Sequence, residues 1–247
     1  MKSIAVFQHT EVGAPGTVIP ILESLGFACR LIRVMEGEPV PAQAGDFAGL
    51  VFMGGYMGVH DPLPWIPAEL ALIRQADALG IPVAGHCLGG QLLAQALGGR
   101  VSPHHTREIG WQHITVEANP ESEEWWGRAG GTPLLAFQWH GDTFAPPPGS
   151  VRIAAGAHCA NQGFVVRGLH LGLQPHLEMT PELVELSLQR NGALLEREYR
   201  RGNPAVTSME ETRQDLDGRT QRMRASLHRL YTRWTRNCRA GPAAGRP

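Results

Sequence analysis

Cys87 stands between glycines in Gly85-His86-Cys87-Leu88-Gly89-Gly90-Gln91. The apolar run Ile81 to Ala84 before it reads as a short strand, and Leu88 to Leu97 after it as a helix with apolar residues at helical spacing. A thiol at such a junction meets the positive end of the helix dipole and free backbone N–H groups, and both favour the reactive thiolate. Gly85 and Gly89 permit the sharp turn that exposes a nucleophile. The alternative for a single cysteine is a small buried hydrophobe. Far downstream, Gly168 to Thr180 reads as a strand ending in His176-Leu177-Glu178. A thiolate needs a base to take its proton and return it to a leaving amine, and that base needs a carboxylate to hold its tautomer. Residues two apart on extended backbone share a side, so Glu178 can hold one nitrogen of His176 while the other faces Cys87.

Taken together, Gly85 to Gln91 and Gln174-Pro175-His176-Leu177-Glu178 resemble the class I glutamine amidotransferases, which use a Cys-His-Glu triad. Four further segments narrow the likeness to the stand-alone branch similar to the amidotransferase domain of GMP synthetase. They are Met53 to Asp61, Arg107 to Trp111, Gln138 to Phe144 and Cys159 to Phe164, in the family's order and within roughly residues 2–190. The resemblance implies a catalytic triad of Cys87, His176 and Glu178 and an oxyanion hole from the N–H groups of Gly55 and Leu88. A backbone donor fixed before the negative oxygen develops is worth roughly 3 kcal/mol. It also implies that Gln91 binds the amino-acid end of the substrate, where the residue alone would read as a solvated helix position. His140 and Asp142 match a substrate-binding wall, where the alternative is a structural turn.

The chain departs from the family pattern at four places. His86 replaces an apolar residue before the nucleophile, Gly90 a His or Gln three after it, and Tyr56 the proline of the oxyanion turn. Proline also precedes His176 instead of following it. Gly90 and Tyr56 predict an altered substrate preference, with free glutamine turned over slowly. Adjacent strand residues face opposite ways, so His86 is expected to be packed or hydrogen-bonded and not to act as a second base.

Strand and helix patterns alternate through the first hundred residues: strands at Ser3 to Gln8, Phe27 to Val34 and Phe47 to Met53, and helices at 15–25 and Pro67 to Leu79. That order predicts an α/β fold with a mostly parallel central sheet flanked by helices, flavodoxin-like as the family is. Sites in such sheets form at the carboxyl ends of strands, where Gly54-Gly55 and Cys87 fall. Residues 100–173 hold short β-like runs, Gln112 to Glu117, Leu134 to Gln138, Val151 to Ala154 and Gly163 to Val166, expected to be antiparallel edge strands and loops. Trp125 and Trp126 either cap a local core or form a substrate- or partner-facing surface. Thr180 before Pro181 starts a helix that runs to Arg200. Ser208 to about Asn237 reads as one long helix with the apolar stripe Met209, Leu216, Met223, Leu227, Leu230 and Trp234. The expected organisation is a catalytic domain over 1–200, an Arg-rich helical extension over 201–239 and a disordered tail over 240–247.

The formal charge of the 247 residues is −1, which gives no whole-chain case for nucleic-acid binding. From 201 onward ten arginines face four acids. The bland reading is a solvated helix packed on the domain, followed by a dimer or partner contact, with nucleic-acid or membrane-surface binding third. The eleven histidines and four cysteines show no H-x-x-H or C-x-x-C spacing, so no metal site is expected. No framework of cysteine spacings, signal peptide or apolar span is legible, which fits a reducing, cytoplasmic compartment and no membrane.

The implied activity is cysteine-dependent hydrolysis of a γ-glutamyl amide, the glutaminase half-reaction, through a γ-glutamyl thioester and without metal or organic cofactor. No Gly-rich phosphate loop is evident, so an amidated product would need a separate synthetase or ammonia-accepting subunit. A homo-oligomer is left open. Two alternatives stand: a self-sufficient γ-glutamyl peptidase, and a catalytically weak binding or regulatory protein.

Overall fold

A computed structural model of the chain describes residues 2–240, with side chains as far as Cys238. The expectation for the tail beyond Ala240 lies outside the described residues. The strands are β1 Ile4–Gln8, β2 Cys29–Arg33, β3 Gly49–Phe52, β4 Val83–His86, β5 Arg100–Val116, β6 Pro133–Ala145, β7 Ser150–Gly156, β8 Gly163–Val166 and β9 His170–Leu173. The α-helices are α1 Val18–Ser24, α2 Trp65–Ala78, α3 Leu88–Ala96, α4 Pro120–Trp126, α5 Pro181–Arg200, α6 Met209–Arg213 and α7 Leu216–Ala240.

All nine strands form one sheet in the order β2-β1-β3-β4-β9-β8-β7-β5-β6. The pairings from β2 through β9 are parallel, and those from β9 to β6 antiparallel. The inner parallel strands β1, β3 and β4 are buried at every position, which is why they read as continuous apolar runs and not as alternating ones. Helices cover both faces: one core cluster gathers α1, α4, α5 and α7 residues, the other α2 and α3 residues.

Three expectations are corrected. The strands β5 and β6 run far beyond the short apolar segments that signalled them. The outer half of β5 carries Pro103, His104, His105 and Arg107, so the backbone ladder to β6, with a register shift between Pro103 and Glu108, extends the pair without an alternating pattern. The segment Pro120–Trp126 is helical, capped by Asn119 accepting from Ser122 N at 2.9 Å. Within it Trp125 and Trp126 are fully buried, donating to Glu121 Oε1 at 2.7 Å and Ile153 O at 2.9 Å, so the pair caps a core and offers no surface. The long C-terminal helix is two helices, because Asp215 turns into the left-handed region at φ 48° between α6 and α7.

The stripe of α7 is buried against its own sheet: Met223, Leu227, Leu230, Tyr231 and Trp234 are fully covered. Two of its arginines pair locally, Arg233 with Glu124 at 2.5 Å and Arg222 with Asp215 at 3.0 Å. Among the described residues no helix is long and apolar enough to cross a membrane. Deleting a buried Trp side chain costs about 3–5 kcal/mol, and Trp234→Ala is expected to lower the unfolding free energy by that amount without changing the mass of the particle. Urea titration with light scattering at low concentration measures both; an unchanged midpoint would mean that α7 does not support the fold.

Candidate active site

The nucleophile candidate owes its position to backbone contacts that only glycine allows. Cys87 links β4 to α3 with φ 49° and ψ −107°, a conformation that a side chain adopts only when its surroundings impose it. A Cβ on Gly85 would lie 2.2 Å from Gly89 O, and one on Gly89 2.0 Å from Phe52 O. The start of α3 thus rests directly on β3 and β4. Cys87 N donates to Leu173 O of β9 at 2.8 Å, which ties the elbow to the strand that leads to His176.

Strand β9 ends at Leu173, so His176 and Glu178 lie past the strand that was expected to carry them. His176 is held by its own N–H donating to Phe137 O of β6 at 2.8 Å, and Glu178 by its carbonyl accepting from Thr17 N ahead of α1 at 2.9 Å. His176 Nδ1 is 2.7 Å from Glu178 Oε1. A carboxylate only accepts, so Nδ1 carries the proton and Nε2 is left for the thiol. Burial works against charge on the His176 ring, but the Glu178 carboxylate and the Cys87 side chain outweigh it and hold the ring's pKa well above 6.5. Burial likewise opposes charge on Glu178, and the rings of His86 and His176 overcome it, keeping the carboxyl well below 4.5.

Around this pair the cleft has a volume of about 260 Å³ and is lined by Cys87, His176, Gly55, Gln91, His140 and Asp142, among others. Of the triad, oxyanion-hole and substrate-binding residues expected from the sequence, all line the cleft except Leu88, which lies beneath it at the first turn of α3, and Glu178, which lies behind His176. Gln91 Nε2 donates to Asp142 O and Gln174 Oε1, each at 3.3 Å. The His140 ring points away from the cleft: Nδ1 is 2.9 Å from Asp142 O and Nε2 is 2.8 Å from the buried Glu108 Oε2. Gln162 donates to the same Glu108 oxygen at 2.7 Å and accepts from Gln138 at 2.8 Å. Glu108, His140 and Cys159 also come close enough to form a metal-ligand set. The donor atoms of Glu108 and His140 face one another and Gln162, which makes the group a hydrogen-bonded support for β6.

Several contributors had no role assigned from sequence. Arg107 lines the cleft, its guanidinium against Gly141. Ser187 and Asn191 of α5 reach the same wall, and Asn191 Nδ2 donates to Tyr56 OH at 3.4 Å. His9 Nδ1 lies 3.1 Å from Met53 O, behind the Gly54-Gly55 turn, with Nε2 3.0 Å from both oxygens of buried Glu69. Gly90 was expected to alter the preference of the pocket. It does not line it: the space a side chain would need is filled by β9, and a Cβ there would stand 2.5 Å from Leu173 O. Tyr56, half-exposed at the rim, is the departure that does reach the cleft.

An elbow cysteine and a histidine paired with a buried carboxylate thus share one cleft at the carboxyl edge of the sheet. The family description "Glutamine amidotransferase class-I" matches residues 17–194. The chain belongs to that family. It is 31% identical over 192 residues to the glutamine amidotransferase-like protein YfeJ of Salmonella typhimurium, covering 74% of this chain and 78% of the relative. A GMP synthase of Porphyromonas gingivalis is 30% identical over 149 residues, but these span 60% of this chain and only 28% of the synthase. Among solved structures, a glutamine amidotransferase from Methylobacillus flagellatus superposes with a TM-score of 0.92 at 37% identity, covering 96% of this chain and 95% of that one. One from Thermotoga maritima gives 0.80 at 26% identity, covering 96% and 98%.

The charge on Glu178 couples the site to stability. Its contribution is present above about pH 4.5, the ordinary value, and is lost as pH falls towards the depressed folded value. That of His176 is present below 6.5 and is lost as pH rises through its elevated folded value. The stability lead of the native chain over Glu178→Gln is therefore expected to shrink by on the order of 2 kcal/mol on acidification from about pH 6 to about pH 3. Urea unfolding across that range measures it, and a lead independent of pH would mean that the buried carboxyl is not charged.

Proposed function

We propose that this chain hydrolyses the side-chain amide of glutamine or of a small γ-glutamyl compound through Cys87. The observation that carries the reading is the buried His176–Glu178 pair set against the elbow cysteine inside a single cleft. His176 Nε2 takes the thiol proton of Cys87, the sulfur attacks the γ-carbonyl carbon, and the electron pair of the C=O bond moves to oxygen. The N–H groups of Leu88 and Gly55 receive that oxygen. Leu88 opens α3, so its N–H has no acceptor within the helix. Gly55 packs on Leu88, with a Cβ there 3.0 Å from Leu88 Cδ2. Collapse of the intermediate expels ammonia or an amine, which takes its proton from His176 Nε2. Water, deprotonated by the same nitrogen, then cleaves the thioester, releases glutamate and restores the thiol.

The wall supports a zwitterionic substrate end. Both amide hydrogens of Gln91 face protein acceptors, so its Oε1 remains to accept from an α-ammonium group, next to the Asp142 carboxylate. Arg107 offers the matching cation for an α-carboxylate. The cleft volume, about 260 Å³, lies under the roughly 300–1,000 Å³ typical of drug-sized ligands and suits an amino acid or a short γ-glutamyl conjugate. The catalytic unit proposed for 1–200 includes every one of these groups.

A γ-glutamyl diazo-ketone is expected to label Cys87 and to leave Cys29, Cys159 and Cys238 untouched. Burial pushes the Cys29 thiol up to about 11 and raises Cys159 too, so neither supplies thiolate near neutrality. Peptide mass mapping reads the site; an adduct elsewhere, or glutamate release surviving in Cys87→Ala, overturns the assignment. A glutamate-release screen of free glutamine against γ-glutamyl dipeptides, without added partner, separates an ammonia-delivering subunit from a self-sufficient peptidase.

Gly54→Ala tests the geometry. The added methyl would stand 2.6 Å from His176 Cε1, and displacing the ring by about 1 Å is expected to lower turnover about 100-fold with the fold intact. Steady-state kinetics beside circular dichroism decides this, since turnover within about twofold of the native rate would show that His176 need not sit where it does.

A further inference from the structure

The carboxylate of Glu178 has two oxygens, and the triad uses one. Oε2 lies 2.9 Å from Nδ1 of His86, the last residue of β4, in ion-pair range, and neither atom makes a hydrogen bond among the described residues. Both side chains are almost fully buried, Glu178 at 1% exposure and His86 at 0%. On the far side of that ring, His86 Nε2 is 2.9 Å from the hydroxyl of Tyr231, and the two rings stack at 6.0 Å and 11°. Tyr231 belongs to α7, beyond the residues 17–194 that carry the family match, and is itself fully buried against Trp234.

We propose that His86 and Tyr231 are positioning residues for catalysis, forming with Glu178 and His176 a continuous row Tyr231–His86–Glu178–His176–Cys87 that ties the C-terminal helix to the nucleophile. The inference rests on the triad reading above. Glu178 only accepts, so a proton shared across its contact with His86 comes from Nδ1, while Nε2 meets the Tyr231 hydroxyl on the other side of the ring. Burial and the Glu178 charge hold Tyr231 well above 10, which keeps that hydroxyl proton in place. With both oxygens anchored, the carboxylate cannot rotate, and Oε1 stays aimed at His176 Nδ1. Without His86, Oε2 would be a buried carboxylate oxygen with no donor, Glu178 would hold its charge less firmly, and the imidazolium of His176 would lose its stabilising neighbour. Besides the members themselves, the titratable groups acting on the row are Cys29 of β2 and Cys238 of α7, both on Tyr231, with Glu23 acting in turn on Cys29.

Three variants of the full chain test the row. His86→Asn keeps a donor near the Nδ1 position, His86→Leu removes it, and Tyr231→Phe removes one hydroxyl while keeping the stack. In His86→Leu, kcat is expected to fall about 10- to 100-fold at nearly constant KM, as loss of an outer partner does. His86→Asn should recover most of that loss, and Tyr231→Phe should lower kcat about fivefold, the scale of one hydrogen bond. The pH at which His176 loses its proton, followed by NMR of ¹³C-labelled histidine, should drop by about one unit in His86→Leu. Equal losses in His86→Asn and His86→Leu with an unmoved His176 titration would overturn the proposal and leave His86 as a packing residue. Native kcat in Tyr231→Phe would remove α7 from the row. The NMR readout needs no turnover. Glutamate release persisting in Cys87→Ala would therefore sink the triad reading separately, while the His176 titration still decides whether His86 acts through Glu178.

Discussion

A carboxylate taken out of water must be compensated on every side, and the burial of Glu178 is the constraint on which the site is built. Its compensation cannot come from one element. His176 lies on the loop after β9 and His86 at the end of β4, while the backbone carbonyl of Glu178 is held by Thr17 ahead of α1. His86 in turn abuts Tyr231 of α7. Separate parts of the chain must arrive together around this carboxylate, so the group paired with His176 also locks the sheet, the first helix and the last helix in register.

The second constraint is steric. Cys87 keeps its strained backbone because Gly85, Gly89 and β3 are in contact closer than any side chain would permit. This places the sulfur at the carboxyl edge of the parallel strands, where the Gly54-Gly55 turn also ends. The antiparallel half of the sheet then supplies the wall. Arg107, Trp139 and Asp142 come from β5 and β6, whose long pairing carries them across the mouth. Under that wall the buried Gln138, Gln162, Glu108 and His140 are linked by hydrogen bonds. Such a buried chain of hydrogen bonds rigidifies the wall above it. The parallel half thus positions Cys87, and the antiparallel half lines the opposite side of the cleft.

Local patterns identified what they encode directly. The apolar runs of β1, β3 and β4, the Thr180-Pro181 start of α5 and the flanking glycines of Cys87 each carry their own signal; β1, β3 and α5 formed where they were read, and β4 two residues later, at Val83–His86. The long outer halves of β5 and β6 carry no such signal, because polar residues there are held by backbone pairing to a strand distant in sequence. The Asn119-Pro120 start of α4 was present but overshadowed by its short length, and the break at Asp215 depends on one residue's backbone angle.

The sequence by itself determined which residues could react: a cysteine on an elbow, a histidine and a glutamate two apart, and a glycine turn at a strand end. Residue type and short spacing suffice for these, since chemistry and local backbone geometry are local properties. Only the tertiary structure decided what surrounds them. That His86 faces Glu178 and not the cleft, that Gly90 abuts β9 and not the pocket, and that Tyr231 reaches the row from α7 all depend on contacts between residues far apart in sequence. Such contacts are selected by the need to pair buried charge and fill space, and that need exists only once the whole chain has packed.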